Sequence, residues 1–210
     1  MNSNKFVRQN TSFVIPKLFI VFLLLPLSFA HATSDEIAGP LTGNVQPNGV
    51  TLWMYASPTS AITYTYKAEG SGQKDKQTGK FTAVKNQAAK GQGQIFKSIL
   101  DGLAPNTRYQ YKVLIDGKSE PMWEGSFNTA PIEGKPAAFR LAITSCMKIG
   151  RPQGAWNLLL AEKPDFHLTV GDTHYADTTD PTIQLQHHVA YRREKEFAKV
   201  LRNIPIYAIW

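Results

Sequence analysis

The chain of 210 residues contains one cysteine, Cys146, so no disulfide can close within it and a stapled, disulfide-dense fold is excluded. The apolar run at residues 18–30 falls short of the roughly 20 residues that a membrane span requires. No Arg-Arg pair precedes that run and no cysteine follows it closely enough to carry a lipid, so export by the general route without a stable membrane anchor is expected. No internal repeat is visible. Acidic residues are outnumbered, 16 against 23 Lys+Arg for a net charge of +7, yet the excess is mild. Lys5, Arg8 and Lys17 lie in the leader, so 20 basic residues face 16 acidic ones in the remainder, about +4. Lys74, Lys76, Lys80, Lys85 and Lys90 fall in a Gly/Gln-rich region read as loop. They have no interleaved aromatics, so nucleic-acid binding is not expected, and a solvated basic face favouring anionic substrates fits better.

With 42% hydrophobic and 19% charged residues, the chain is globular and long enough for one large domain or two small ones. Lys5, Arg8 and Lys17 precede the apolar run, which ends in the small-x-small pattern Ala30-His31-Ala32. Residues 1–32 therefore read as a signal peptide, and the product as periplasmic or extracellular.

The chemistry concentrates in residues 139–177. Two runs of β character, residues 139–144 and 166–170, each stop at a small residue followed by a metal-ligand type: Ser145-Cys146 and Gly171-Asp172. A helix expected over residues 153–162 makes the unit β-α-β, with both ligands at the carboxyl ends of parallel strands, where α/β sheets gather their ligands. Gly171 permits a sharp turn, and a turn in the following loop returns the Asp172 and Tyr175 oxygens to one centre. Thiolate, carboxylate and phenolate suit a strongly Lewis-acidic transition ion better than magnesium, and iron better than zinc.

Gly171-Asp172-x-x-Tyr175 resembles the GDxxY motif of metallophosphoesterases, shared by purple acid phosphatases and the PhoD-like alkaline phosphatase (alkaline phosphatase D) family. Purple acid phosphatases end the first strand in Asp-x-Gly. Thr144-Ser145-Cys146 is instead similar to the PhoD-like pattern of a small residue and an iron-binding cysteine, and the segments at residues 171–178 and 204–210 are similar to that family too. The resemblance spans residues 36–210. It implies a phosphate ester hydrolase using a metal-activated water, with Fe3+ on Cys146, Asp172 and Tyr175 and Ca2+ beside it. PhoD-like enzymes continue past the equivalent of Trp210 into a Trp-Asp-Asp-His-Asp segment that helps build the second metal site, so this sequence reads as an incomplete fragment carrying the first ligands only. Its strands over residues 137–210 are expected to lack the second sheet that covers one face.

Residues 36–130 read as all-β. Alternating segments at residues 50–55 and 62–66, and an apolar run at residues 95–100, suggest a sandwich. In residues 103–113, Tyr109, Tyr111 and Val113 share one strand face. The segment resembles the corner strand of a fibronectin type III module, with Tyr109 as corner tyrosine. A Pro/Gly-rich linker at residues 131–138 follows. The expected fold is thus an all-β, fibronectin type III-like sandwich followed by the first β-α-β part of an α/β metallophosphoesterase sheet-sandwich, truncated, over residues 139–210. Asp180-Pro181 is read as the start of a helix running through residues 182–201.

Among the remaining polar residues, His174 reads as pocket lining or a substrate contact, and Asp177 as a reach toward a second ion or a loop cap. Lys148 and Arg151 read as surface residues or phosphate contacts. His187 and His188 are expected at the surface or in cap packing and His167 in the core. Thr173 as a nucleophile fits less well than a metal-activated water. Trp53, Trp123 and Trp156 read as core aromatics. A second class stays open: a non-catalytic exported protein whose fibronectin-like module binds a partner beside a vestigial catalytic part.

Overall fold

Eight short strands with inward-facing apolar residues come first in the computed structural model, which describes residues 37–85 and 93–209. They are β1 (Ala38–Gln46), β2 (Gly49–Ala56), β3 (Ile62–Ala68), β4 (Gln77–Lys80), β5 (Thr82–Ala83), β6 (Gln94–Leu100), β7 (Arg108–Ile115) and β8 (Glu124–Asn128). They form two antiparallel sheets, ordered β1-β2-β6-β5 and β4-β3-β7-β8. The alternation is clearest in β7, where Tyr109, Tyr111, Val113 and Ile115 are buried while Arg108, Gln110 and Lys112 face water. These side chains close one core with Val50, Leu52, Met54, Tyr64, Phe96 and Phe127. At its corner the Tyr109 hydroxyl accepts from the Ala104 amide at 2.9 Å, the bond expected for a buried phenol that must satisfy its oxygen.

The lysine-rich stretch read as loop is instead partly ordered. It contains a 3-10 turn (Gln73–Asp75), β4 and β5. Both strands are sheet edges, and an edge carrying exposed Lys80 tolerates the polar composition that argued against a strand. Lys90 and the proposed leader, residues 1–32, lie outside the described residues.

The chain then builds a parallel sheet from β9 (Leu141–Thr144), β10 (Phe166–Val170) and β11 (Ile206–Ile209), in the order β11-β10-β9. Three helices connect them: α1 (Ala155–Ala161), α2 (Pro181–Arg193) and α3 (Lys195–Asn203). The α1 helix is shorter than the expected 153–162 because Gln153 serves the turn before it. Its Nε2 donates to the Lys148 and Arg151 carbonyls and its Oε1 accepts from Trp156 Nε1 at 2.6 Å. The helix expected over residues 182–201 is two helices broken at Glu194, whose φ of −51° and ψ of 121° leave the helical region. The break lets the two helices bury different faces. Val189 packs with Ala38 and Tyr55, while Tyr191, Phe197, Val200 and Leu201 join Trp156 in a second cluster. Asp180 does cap α2, its Oδ1 accepting from the Thr182 and Ile183 amides at 2.7 and 3.2 Å.

α3 seals the parallel layer to the sandwich. Leu41 of β1 packs into its cluster, the Tyr111 hydroxyl donates to the Arg202 carbonyl at 2.8 Å, and Ser126 Oγ donates to Asn203 Oδ1. Farther along, Asn128 Nδ2 donates to Asp165 Oδ1, and the Val45 amide to the Tyr207 hydroxyl. One face of the parallel sheet is therefore covered: His167 is fully buried, with Trp156 and Phe197 edge-on to its ring. The other face carries Leu141, Ile143, Val170, Tyr207 and Ile209, all exposed among the described residues. Among those residues no helix is long and apolar enough to cross a membrane.

Candidate functional site

β9 and β10 run side by side in register, Thr144 opposite Thr169, so the loops leaving them start as neighbours. Both loops turn at once through left-handed backbone: Cys146 has φ 57°, Gly171 95° and Asp172 49°, followed by Tyr175 at 49° and Asp177 at 48°. Glycine takes this region freely and aspartate tolerably, whereas cysteine and tyrosine hold it at a cost that only the surrounding structure can maintain. The turns bring together side chains far apart in sequence. Cys146 Sγ lies 3.6 Å from Asp172 Oδ2, and the Tyr175 hydroxyl 3.5 Å from the same oxygen. Cys146 is a free, exposed thiol.

Electrostatics within this trio favour the neutral phenol. Desolvation, hydrogen bonding with Cys146 and the Asp172 charge push Tyr175 up to about 12. Lys148 Nζ sits 5.3 Å from the centre of the Tyr175 ring, close enough for cation–π attraction. Arg151 remains exposed and contributes its carbonyl to Gln153.

Behind the trio lies a histidine group. The rings of His174 and His188 meet edge to face with centroids 4.0 Å apart. The Ala176 amide donates to His174 Nδ1 at 3.2 Å, and His187 Nδ1 donates to the His174 carbonyl. Burial lowers His174, reinforced by His187 and Arg192 and opposed by Asp177. Burial and then Arg192 push His188 down to about 3. Both rings are thus neutral near pH 7. His188, expected at the surface or in cap packing, is half-buried. His188 and Arg192 are four apart on α2, and Arg192 Nη1 donates to the His188 carbonyl. Asp177 is exposed, and His167 lies in the core, 2.7 Å from Thr144 Oγ1.

Among the described residues no three of His, Cys, Asp and Glu cluster closely enough to hold an ion. The trio, with tyrosine as third member, does have suitable chemistry. Donors bonded to one ion at about 2.0–2.3 Å stand roughly 3 Å apart, near the 3.5 and 3.6 Å seen here, and deprotonated they would repel without a cation. The fit does not extend to calcium, which takes about six to eight oxygens. The described loop offers three carboxylates, Asp172, Asp177 and Asp180, and Asp180 is engaged in capping α2.

No protein-family model matches the sequence, and no curated protein does. Solved structures are similar in fold. PhoD superposes with a TM-score of 0.64 at 18% identity, over 83% of this chain and 38% of that one. Purple acid phosphatase PPD1 from yellow lupin (Lupinus luteus) seeds gives 0.61 at 14% identity, over 82% of this chain and 34% of that one. The chain thus spans well under half the length of either. The sheet-rich, helix-poor architecture is that of a β-sandwich joined to part of a phosphoesterase fold, and it fits the amino-terminal portion of a PhoD-like protein.

Proposed function

We propose that this chain is the amino-terminal part of a metal-dependent phosphoric ester hydrolase of the alkaline phosphatase D type. Residues 1–32 form its export signal, 36–130 a fibronectin type III-like domain, 131–138 a linker and 139–210 the beginning of the catalytic domain. The observation that carries this reading is the convergence of Cys146, Tyr175 and Asp172 on one carboxylate oxygen at the carboxyl ends of two adjacent parallel strands. Ligands collect at that edge in α/β sheets.

Cys146, Asp172 and Tyr175 would hold Fe3+, which when bound supplies Lewis acidity toward phosphoryl oxygens and acidifies a coordinated water. Asp172 is the common partner that orients the other two. Lys148, poised at the Tyr175 ring, adds positive charge at the mouth of the site, where a phosphate ester dianion would approach. His174, accepting through Nδ1, keeps its other ring nitrogen as an N–H donor for a substrate oxygen.

The test is spectroscopic. The exported chain loaded with ferric iron should show a visible phenolate charge-transfer band that Tyr175→Phe removes, and Cys146→Ala should lower the iron retained after dialysis. A colourless protein that takes up stoichiometric zinc in preference to iron would reject the assignment.

A further inference from the structure

At the junction of α2 and α3 a pocket of about 360 Å³ opens between arginines and apolar side chains. Arg192, Arg193 and Arg202 line it together with Ile37, Met122 and Ala198. Its volume lies at the small end of the range for small-molecule sites. It shares no lining residue with the Cys146, Asp172 and Tyr175 trio.

Among the described residues no carboxylate forms an ion pair with the arginines of this pocket. The ion pairs among the described residues are Arg108 with Glu69, Lys112 with Glu124 and Lys199 with Glu196. On α3, therefore, the neighbouring carboxylate of Glu196 is engaged by Lys199, and none of the three pocket arginines is ion-paired. Two of them are not free surface cations. Burial pulls Arg192 down to about 10 and lowers Arg202 as well, the sign of guanidinium groups withdrawn from water without an anion. Arg192 is also held in place, with Nη1 on the His188 carbonyl at 3.0 Å and its Cζ 5.3 Å from the Trp53 ring centre. Arg202 is anchored through its carbonyl, which accepts from Tyr111. The Tyr111 bond fixes the backbone of Arg202, and the guanidinium of Arg192, already held, loses little entropy when an anion arrives.

We infer that this pocket binds a dianionic phosphate group, with Arg192, Arg193 and Arg202 as its ligands. Guanidinium forks match phosphate oxygens two at a time. Three cations call for more than the single charge of one carboxylate, and Ile37, Met122 and Ala198 leave an apolar wall for a small organic substituent. The site does not depend on the metal reading of the loop beyond β10.

The experiment uses the exported chain freed of metal with a chelator. Phosphate is titrated while arginine modification by phenylglyoxal is followed residue by residue with mass spectrometry. Phosphate should slow modification of Arg193 and Arg202 by roughly tenfold at saturation, and chloride at equal ionic strength should not, because screening alone is nonspecific. Phosphate affinity should persist in the Cys146→Ala/Asp172→Ala double variant and weaken at least roughly tenfold, about 1.4 kcal/mol, in Arg193→Gln/Arg202→Gln. Phenylphosphonate binding tighter than phosphate would identify an organic phosphate as the ligand, and equal binding would identify inorganic phosphate; both sustain the site. Absence of protection, equal protection by chloride, or binding lost in the Cys146/Asp172 variant but kept in the arginine variant would overturn it. The footprint on the unsubstituted chain decides the matter even if the arginine variant fails to fold.

Discussion

The buried Tyr111 hydroxyl donates to the carbonyl of Arg202 at 2.8 Å, joining the middle of the sandwich to the last turn of α3 across 91 positions of sequence. Burial pushes this phenol far above its ordinary value, so it acts as a donor at every accessible pH. Tyr111→Phe leaves a helix-terminal carbonyl unpaired at this junction and should cost about 1–2 kcal/mol, read as a lower denaturant midpoint with an unchanged slope. An unaltered midpoint would show that this bond does not hold the two layers together.

Gly125 of β8 permits the same approach. A methyl group there would collide with the Arg202 carbonyl oxygen and with the Tyr111 ring and hydroxyl, and glycine within a strand often marks such a close backbone contact. Gly125→Ala should destabilise the chain by about 2 kcal/mol or more, exceeding Tyr111→Phe. Hydrogen exchange should localise the loss to α3 rather than to β7.

Stability should fall on mild acidification. Burial holds His167 at about 4 in the folded chain, against 6.5 for the free side chain, and His188 is depressed likewise. Between about pH 6.5 and 4 the unfolded chain binds protons that the folded one refuses. The stability gained from a neutral His167, on the order of 3 kcal/mol, is therefore present above pH 6.5 and lost as pH falls toward 4. His167→Leu should be less stable at pH 7, having lost its Thr144 bond, yet show a flatter acid limb in denaturation followed across pH. An equally steep limb in the variant would assign the acid sensitivity to other groups.

The open face of the parallel sheet should behave as an apolar patch. Leu141, Ile143, Val170, Tyr207 and Ile209 share that face by register and are exposed, Ile143 at 59% and Ile209 at 56%. Contiguous apolar surface of this kind drives association. The 210-residue chain should bind a hydrophobic dye and self-associate with rising concentration, and Ile143→Lys should reduce both. A monomeric, dye-silent chain at high concentration would show that this face is covered in solution.

Much of the architecture was legible because it is local. Period-two alternation marked β7, the small-residue stops marked the ends of β9 and β10, and Asp180-Pro181 marked the start of α2, each a matter of backbone preference within a few residues. The donor types of Cys146, Asp172 and Tyr175 could also be read as a set, since thiol, carboxyl and phenol carry their chemistry wherever they stand. The convergence of these groups on one oxygen was a matter of parallel register and left-handed turns, which no single segment encodes. The break at Glu194 was likewise decided by packing: two helices at different angles bury Val189 against β1 and Phe197 against Trp156, which one straight helix would not. The grouping of Arg192, Arg193 and Arg202 with Ile37 and Met122 had no sequence signal at all. It exists because α2, α3 and the start of the sandwich meet there, and charge left without a partner is a property of three-dimensional neighbours.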